Sequence, residues 1–129
     1  LYVIGYSAND SILKKQGVTI TGGYSSFSWI SDFIRKNSID LIFLPSICPE
    51  TFSYTCSEAL LLGKPICSFN IGAIYERLSE MELEEYIALP YKERFNPEFI
   101  INEIRKKQKE FKPYVTKEKD ITLDDYYEY

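Results

Sequence analysis

The sequence predicts an α/β fold with a Rossmann-like, three-layer αβα architecture and a mainly parallel sheet of about five strands. Short apolar runs alternate along the chain with segments in which apolar residues recur every three or four positions, the pattern of βαβ units. The runs are apolar on both faces, which is typical of strands that helices cover on both sides. Gly or Pro closes most of them. The predicted strands are residues 1–4, 18–21, 41–44, 65–69 and 86–89.

Helices are predicted between these strands. The helix after the third strand begins near Ser53 and ends at Gly63, a residue type common just beyond helix C-termini, and Pro65 follows. Asn96 and Pro97 are typical of an N-cap and a first helical position, so a further helix starts there. Two more helices are predicted from apolar stripes: Phe27, Ile30, Phe33 and Ile34, and Ile74, Leu78 and Met81.

Composition excludes some classes of function. The chain has 129 residues, 45% of them hydrophobic and 26% charged, as in a soluble globular domain with its own core. The net charge of −4 argues against nucleic acid as a partner, because phosphate backbones attract basic surfaces. No apolar run approaches the length of a membrane span. Cys48, Cys56 and Cys67 fit neither a disulfide framework nor a zinc site, so we expect reduced thiols and a cytoplasmic location.

The loop and helix after the third strand hold the strongest candidate site. Folds of this kind bind ligands at the carboxyl ends of parallel strands. Glu50 lies in this loop, and Glu58 lies eight positions later, inside the helix. The first N–H groups of the helix attract an anion such as phosphate, and the hydroxyl groups of Thr51, Ser53 and Thr55 add donors. Two carboxylates that flank a phosphate site suit a nucleotide-sugar, because its hydroxyl groups need acceptors.

Simpler interpretations of the same residues stay open. Thr55 and Glu58 match a capping box, in which the glutamate reaches back to a backbone N–H. Glu50 also fits an ordinary exposed acid in a loop. The chain contains no histidine, so Cys56 fits a small buried residue better than an activated nucleophile.

The residues around the two glutamates, taken in order, are more specific than the spacing. They are Pro45 and Ser46 after the strand, Glu50 and Glu58 in E-x7-E spacing, Ala59, and then Gly63-Lys64-Pro65. This combination resembles the C-terminal, donor-binding domain of the retaining GT-B glycosyltransferases of group 1 (family 4). Residues 70–77 are similar to the family's glycine turn and acid, and residues 18–24 to its strand and glycine beside the nucleobase. The resemblance runs from Leu1 to about Pro90.

The resemblance implies half of a GT-B fold, with a nucleotide-sugar donor-binding domain over residues 1–112, truncated at its N-terminus, and a tail or helix over residues 113–129. It implies transfer of a sugar, with retention, from a nucleotide-diphosphate sugar to a glycan or lipid-linked acceptor in polysaccharide biosynthesis. That reaction takes place in the cytoplasm or at the inner face of the membrane. No metal or cofactor is expected besides the nucleotide-sugar substrate. By the resemblance, Glu50 is catalytic and contacts the donor sugar, Glu58 holds the ribose, Gly22 and Tyr24 border the base, and Thr51, Phe52, Ser53, Tyr54 and Thr55 hold the diphosphate.

Two departures from the family pattern limit what the chain does by itself. Phe52, Ser53 and Tyr54 stand where many relatives have a central glycine, which keeps the backbone farther from a phosphate. The family's cations for the diphosphate precede the first strand and are absent here, as is the N-terminal acceptor domain. We therefore expect the chain to be part of a longer protein and to be inactive alone. A missing central strand leaves unpaired sheet edges, so we also expect a homo-oligomer.

The alternative function is a non-catalytic α/β module that binds a nucleotide or a protein. A dinucleotide-dependent oxidoreductase is disfavoured because no G-x-G-x-x-G follows a strand. Outside the motif, Trp29 fits packing. Glu76 with Arg77 fits a surface ion pair of small energetic value, although the resemblance places this pair near the cleft. The tyrosine-rich tail fits either a helix docked on another domain or a loosely attached terminus. Asp124 and Asp125 lack the surrounding ligands of a metal site.

Overall fold

The computed structural model describes residues 1–111 and confirms the α/β fold class. All five predicted strands are present, and they pair in parallel. The predicted tail, residues 113–129, lies outside the described residues, and so do Asp124 and Asp125. The elements in chain order are β1 (Tyr2–Val3), α1 (Asp10–Lys15), β2 (Thr19–Ile20), α2 (Phe27–Lys36), β3 (Ile42–Leu44), α3 (Tyr54–Leu61), β4 (Ile66–Phe69), α4 (Gly72–Glu80), β5 (Tyr86–Leu89), a 3₁₀ turn (Tyr91–Glu93) and α5 (Pro97–Glu110).

The strands form two sheets rather than the one sheet that the sequence predicts. β1 pairs with β2, and β3, β4 and β5 pair in that order. The chain correspondingly divides into two compact units, Leu1–Ile39 and a unit that begins at Asp40. β1 and β2 contribute two residues each, so the ladder of the first sheet is short. Among the described residues, β3 and β5 are the edge strands of the second sheet.

The second unit has the predicted three layers. Neighbouring residues of β4 point to opposite faces of the sheet, as the alternation of a strand requires. Ile66 packs in a buried cluster with residues of α3 and α4, whereas Cys67 packs in a second cluster to which α5 contributes Ile100 and Ile104. The helices α3 and α4 share one face of the sheet, where both contribute to the cluster around Ile66. This arrangement is expected for two successive crossovers in the strand order β3, β4, β5, because parallel crossovers are nearly always right-handed. Helices therefore cover this sheet on both sides.

The predicted helix ends are confirmed by their hydrogen bonds. The Ser53 hydroxyl accepts the N–H of Cys56 at 3.3 Å, which makes Ser53 the N-cap of α3. The side chain of Asn96 accepts the N–H of Phe99 at 3.1 Å, and Pro97 follows at the first helical position of α5. Gly63 lies just beyond α3 with φ of 60°, the left-handed conformation typical of that position.

Two details of the helices differ from the prediction. α1 is not predicted, because it buries no residue and so carries no apolar stripe. Met81 was assigned to the apolar stripe of α4, but that assignment is wrong. The helix ends at Glu80, and Met81 is its C-cap with 42% of its surface exposed, while Ile74 and Leu78 are buried as predicted.

Candidate functional site

The loop that carries Glu50 follows β3 at the carboxyl edge of the second sheet. The backbone N–H of Ala73, at the start of α4, donates to the carbonyl of Glu50 at 2.9 Å. The hydroxyl of Tyr91, which follows β5, donates to the carbonyl of Ile47 at 3.0 Å. The segments after β4 and β5 thus hold the loop after β3. The Glu50 side chain is half-buried, so the interpretation as an ordinary exposed loop acid is not supported.

The start of α3 offers backbone donors directly after Glu50. Ser53 is buried, with 8% of its surface exposed, and its carbonyl accepts the N–H of Ser57 at 3.3 Å as the first bond of the helix. The N–H groups of Tyr54 and Thr55 precede the first helical donor, the N–H of Ser57, and so have no carbonyl within the helix to bond. Together with the helix dipole, these two N–H groups form the feature that attracts an anion.

Glu58 is not part of a capping box. The box requires Thr55 to be the N-cap and Glu58 to be the third helical residue. The N-cap is instead Ser53, and Cys56 occupies the third helical position. Glu58 is therefore the fifth helical residue, in the second turn, where it is half-buried and too far along to cap the N-terminus.

Arg77 of α4 brings a positive charge to this region, near which the resemblance places the Glu76 and Arg77 pair. Its guanidinium donates to the hydroxyl of Ser57 at 2.7 Å, and its Cζ lies 5.9 Å from the centre of the Phe52 ring. The side chain of Arg77 is half-buried, whereas Glu76 is exposed. The interpretation of this pair as surface residues thus fits Glu76 and fails for Arg77. The sequence gives one hint, since Arg77 lies three positions after the buried Ile74 and hence beside the core face of the helix.

Cys56 lies between opposite charges at the start of α3. Burial raises the pKa of its thiol above the ordinary value, Arg77 lowers that pKa, and Glu50 raises it. The charges of Arg77 and Glu50 therefore both act on the buried thiol of Cys56. Cys56 is 1% exposed, which confirms that it is a packing residue rather than a nucleophile.

An open cavity of about 230 Å³ lies between the start of α3 and one side of α4. It is smaller than the roughly 300–1,000 Å³ of sites that enclose a drug-sized ligand. The cavity is therefore large enough for only one group of a larger ligand. Arg77 is the one cation on its wall, and the carboxylates of Glu76 and Glu80 offset it. The lining residues are Phe52, Ser53, Cys56, Ala73, Ile74, Glu76, Arg77 and Glu80.

The remaining predicted diphosphate residues lie on the exposed side of the loop and helix start. Thr51 and Thr55 are exposed. The rings of Phe52 and Tyr54 are 54% and 65% exposed and meet edge to face, with centroids 5.0 Å apart. Both aromatic side chains thus flank the backbone donors of α3.

Gly22 and Tyr24 belong to the first compact unit, where their predicted role concerns the base. Gly22 has φ of 74°, and its N–H donates to the carbonyl of Gly5 at 3.0 Å. The exposed ring of Tyr24 stacks on Trp29 with centroids 6.5 Å apart. Trp29 in turn stacks on Phe33 at 5.1 Å, so Trp29 packs among aromatic rings, as predicted.

Within residues 1–111, no group of three or more potential metal ligands comes together, and no helix has the length and hydropathy to cross a membrane. Comparison of the chain with protein-family models, with curated proteins and with solved structures found no match.

Proposed function

We propose that the chain is the donor-binding portion of a retaining glycosyltransferase, which moves a sugar from a nucleotide-diphosphate sugar to a glycan or lipid-linked acceptor. One observation carries the proposal. α3 begins at Tyr54, between the two glutamates, so a pair of backbone donors stands between two half-buried carboxylates. An anion flanked by hydroxyl groups on both sides fits this order, and a nucleotide-sugar has that arrangement.

In this proposal each group binds one part of the donor. Glu50 accepts hydrogen bonds from the sugar hydroxyls at the reacting end. Thr51 and the backbone of Phe52, Ser53, Tyr54 and Thr55 hold the diphosphate, and Glu58 accepts the ribose hydroxyls.

The chemical step depends on departure of the nucleotide diphosphate. Negative charge grows on the leaving phosphate oxygens, and donors already aimed at them stabilise that charge more than the ground state. The N–H groups of Tyr54 and Thr55 serve this purpose. Arg77, which donates to the Ser57 hydroxyl of the same helix, adds positive charge. The proposed reaction also requires further cations for the diphosphate and a site for the acceptor. The donor is the substrate, and the reaction takes place in the cytoplasm or at the inner face of the membrane.

The test uses the protein encoded by the complete gene, titrated by calorimetry with a panel of UDP-, GDP- and ADP-sugars. Glu58→Ala should weaken binding of the preferred donor about 10- to 100-fold, the loss of charge-assisted hydrogen bonds. Glu50→Gln should lower kcat about 100-fold or more. Glu84→Gln, an exposed acid of the α4–β5 connection, is the matched control and should change neither value. Unchanged donor binding in the Glu58 variant would remove the ribose assignment.

A second candidate function is a non-catalytic module that binds a nucleotide or a protein. The exposed rings of Phe52 and Tyr54 favour it, because they flank the donors where a smaller residue would let phosphate approach closely. The two candidates differ in turnover. If the complete protein binds a nucleotide-sugar but releases no nucleoside diphosphate in the presence of glycan or lipid-linked acceptors, the module is the better description.

A further inference from the structure

The backbone around Glu50 is packed against the start of α4 at a distance that only glycine permits. Gly72 has φ of 65°, a conformation that side chains with a Cβ rarely adopt. A Cβ at Gly72 would lie 2.9 Å from the Glu50 nitrogen and 2.9 Å from the Pro49 Cα. Both atoms belong to the main chain, so relief of this contact requires the loop itself to move.

Two hydrogen bonds fix the same loop. The Ala73 N–H donates to the Glu50 carbonyl at 2.9 Å, one residue after the close contact. The Tyr91 hydroxyl donates to the Ile47 carbonyl at 3.0 Å, three residues before Glu50. Tyr91 is itself held, because its N–H donates to the side chain of Asn70 at 2.7 Å. Contacts from two different connections therefore converge on residues 47–50.

We propose that Gly72 and Tyr91 are positioning residues that set where the Glu50 carboxylate stands relative to the donor sugar. The inference rests on the proposed function, in which Glu50 binds sugar hydroxyls. Neither residue needs to touch the donor. Gly72 lets the loop close onto α4, and Tyr91 holds its far end, so Glu50 reaches the sugar without reorganisation when the donor arrives.

The chain contains a matched control for the glycine. Gly17 also has a positive φ, 82°, but a Cβ there would meet no atom within 4 Å. Gly17→Ala and Gly72→Ala thus carry a similar backbone penalty, whereas only Gly72→Ala presses on the Glu50 loop. A difference in ligand binding between the two variants is therefore due to the contact with the Glu50 loop and not to the positive φ.

The experiment uses the protein encoded by the complete gene, and it measures the Kd of the preferred nucleotide-sugar and of the matching nucleoside diphosphate by calorimetry. The Kd of the diphosphate divided by the Kd of the nucleotide-sugar isolates the contribution of the sugar. We expect Gly72→Ala to reduce this ratio about tenfold, the value of one charge-assisted hydrogen bond, and to leave the Kd of the diphosphate unchanged. Gly17→Ala should keep the ratio. A Gly72→Ala protein that keeps the wild-type ratio overturns the inference.

A second measurement needs no ligand. Hydrogen exchange at the Ala73 amide and in residues 47–50 should be faster in Gly72→Ala than in wild type, and unchanged in Gly17→Ala. If wild type shows no sugar-dependent gain in affinity, the proposed function fails. Hydrogen exchange then tests by itself whether Gly72 holds the Glu50 loop. Equal exchange rates in Gly72→Ala and Gly17→Ala would overturn that inference. If Gly72→Ala does not fold, Tyr91→Phe takes its place, with a two- to fivefold loss in the ratio expected and an unchanged ratio overturning the inference.

Discussion

Replacement of Ser53 by alanine should destabilise the chain more than a standard loss of a helix cap. The Ser53 hydroxyl accepts the N–H of Cys56 at 3.3 Å, and both residues are buried. The alanine variant leaves this N–H without its acceptor in a place that water reaches poorly. Cap substitutions cost about 0.5–2 kcal/mol, and the burial puts Ser53→Ala near the upper end, at about 1.5–2 kcal/mol.

Ser26 supplies the control. It is the N-cap of α2, and its hydroxyl accepts the N–H of Trp29 at the same distance of 3.3 Å, but it is exposed. Water can replace the lost acceptor there, so Ser26→Ala should cost only about 0.5–1 kcal/mol.

The assay is urea denaturation followed by circular dichroism. At a slope of about 1–3 kcal/mol per molar urea, the predicted loss for Ser53→Ala shifts the midpoint by roughly 0.5–2 M. Ser53→Asp keeps an acceptor at the cap and adds a charge that the helix dipole favours, so it should restore stability. The same charge repels a phosphate, so this variant should bind nucleotide-sugars less tightly. The reasoning is refuted if Ser53→Ala costs no more than Ser26→Ala.

Three further predictions concern stability. Thr55→Ala and Glu58→Ala should each change the free energy of unfolding by less than about 0.5 kcal/mol, because neither residue caps α3; a loss above 1 kcal/mol in urea denaturation would restore the capping box. Burial raises the pKa of the Cys67 thiol from 9.0 to about 12, so above pH 9 the unfolded chain loses this proton first and stability falls as the pH rises. Between pH 8 and pH 10 the loss from Cys67 should be about 1 kcal/mol, and Cys67→Ala should show a flatter pH profile in the same assay. Leu78→Ala should cost about 2–5 kcal/mol because Leu78 is fully buried, whereas Ile101→Ala on the exposed side of α5 should cost less than about 0.5 kcal/mol in thermal unfolding.

The strands of the second unit could be predicted because their residues are apolar on both faces. Ile66 and Cys67 are neighbours in sequence and face opposite clusters, so a continuous apolar run is what a strand covered on both sides must have. The start of α3 could be predicted only to within a turn, since Ser53 and Thr55 both suit an N-cap. Burial of Cys56 and Ala59, three positions apart on one face, fixes the phase of the helix and selects Ser53. That selection depends on packing, which local sequence does not report.

The contact of Arg77 with Ser57 shows what the sequence could not predict. This contact joins two helices across 20 positions of sequence, and no spacing rule connects such a pair. On α4, periodicity identifies Ile74 and Leu78 as the core face, but a charged residue beside that face can point to solvent or reach the neighbouring helix. Here Arg77 reaches the neighbouring helix, where the buried hydroxyl of Ser57 accepts its hydrogen bond.

The contacts that hold the Glu50 loop act mainly on main-chain atoms. One contact runs from the Ala73 N–H to a carbonyl, and another places a hydroxyl on the Ile47 carbonyl. Bonds to main-chain atoms leave most side chains of the loop free to vary. Gly72 is the exception, because a Cβ there would meet the backbone at Pro49 and Glu50. A site built in this way requires a few residues at set distances along the chain, namely a glycine after β4 and the two glutamates on either side of the start of α3. Ser53, between Phe52 and Tyr54, caps the helix that supplies the donors.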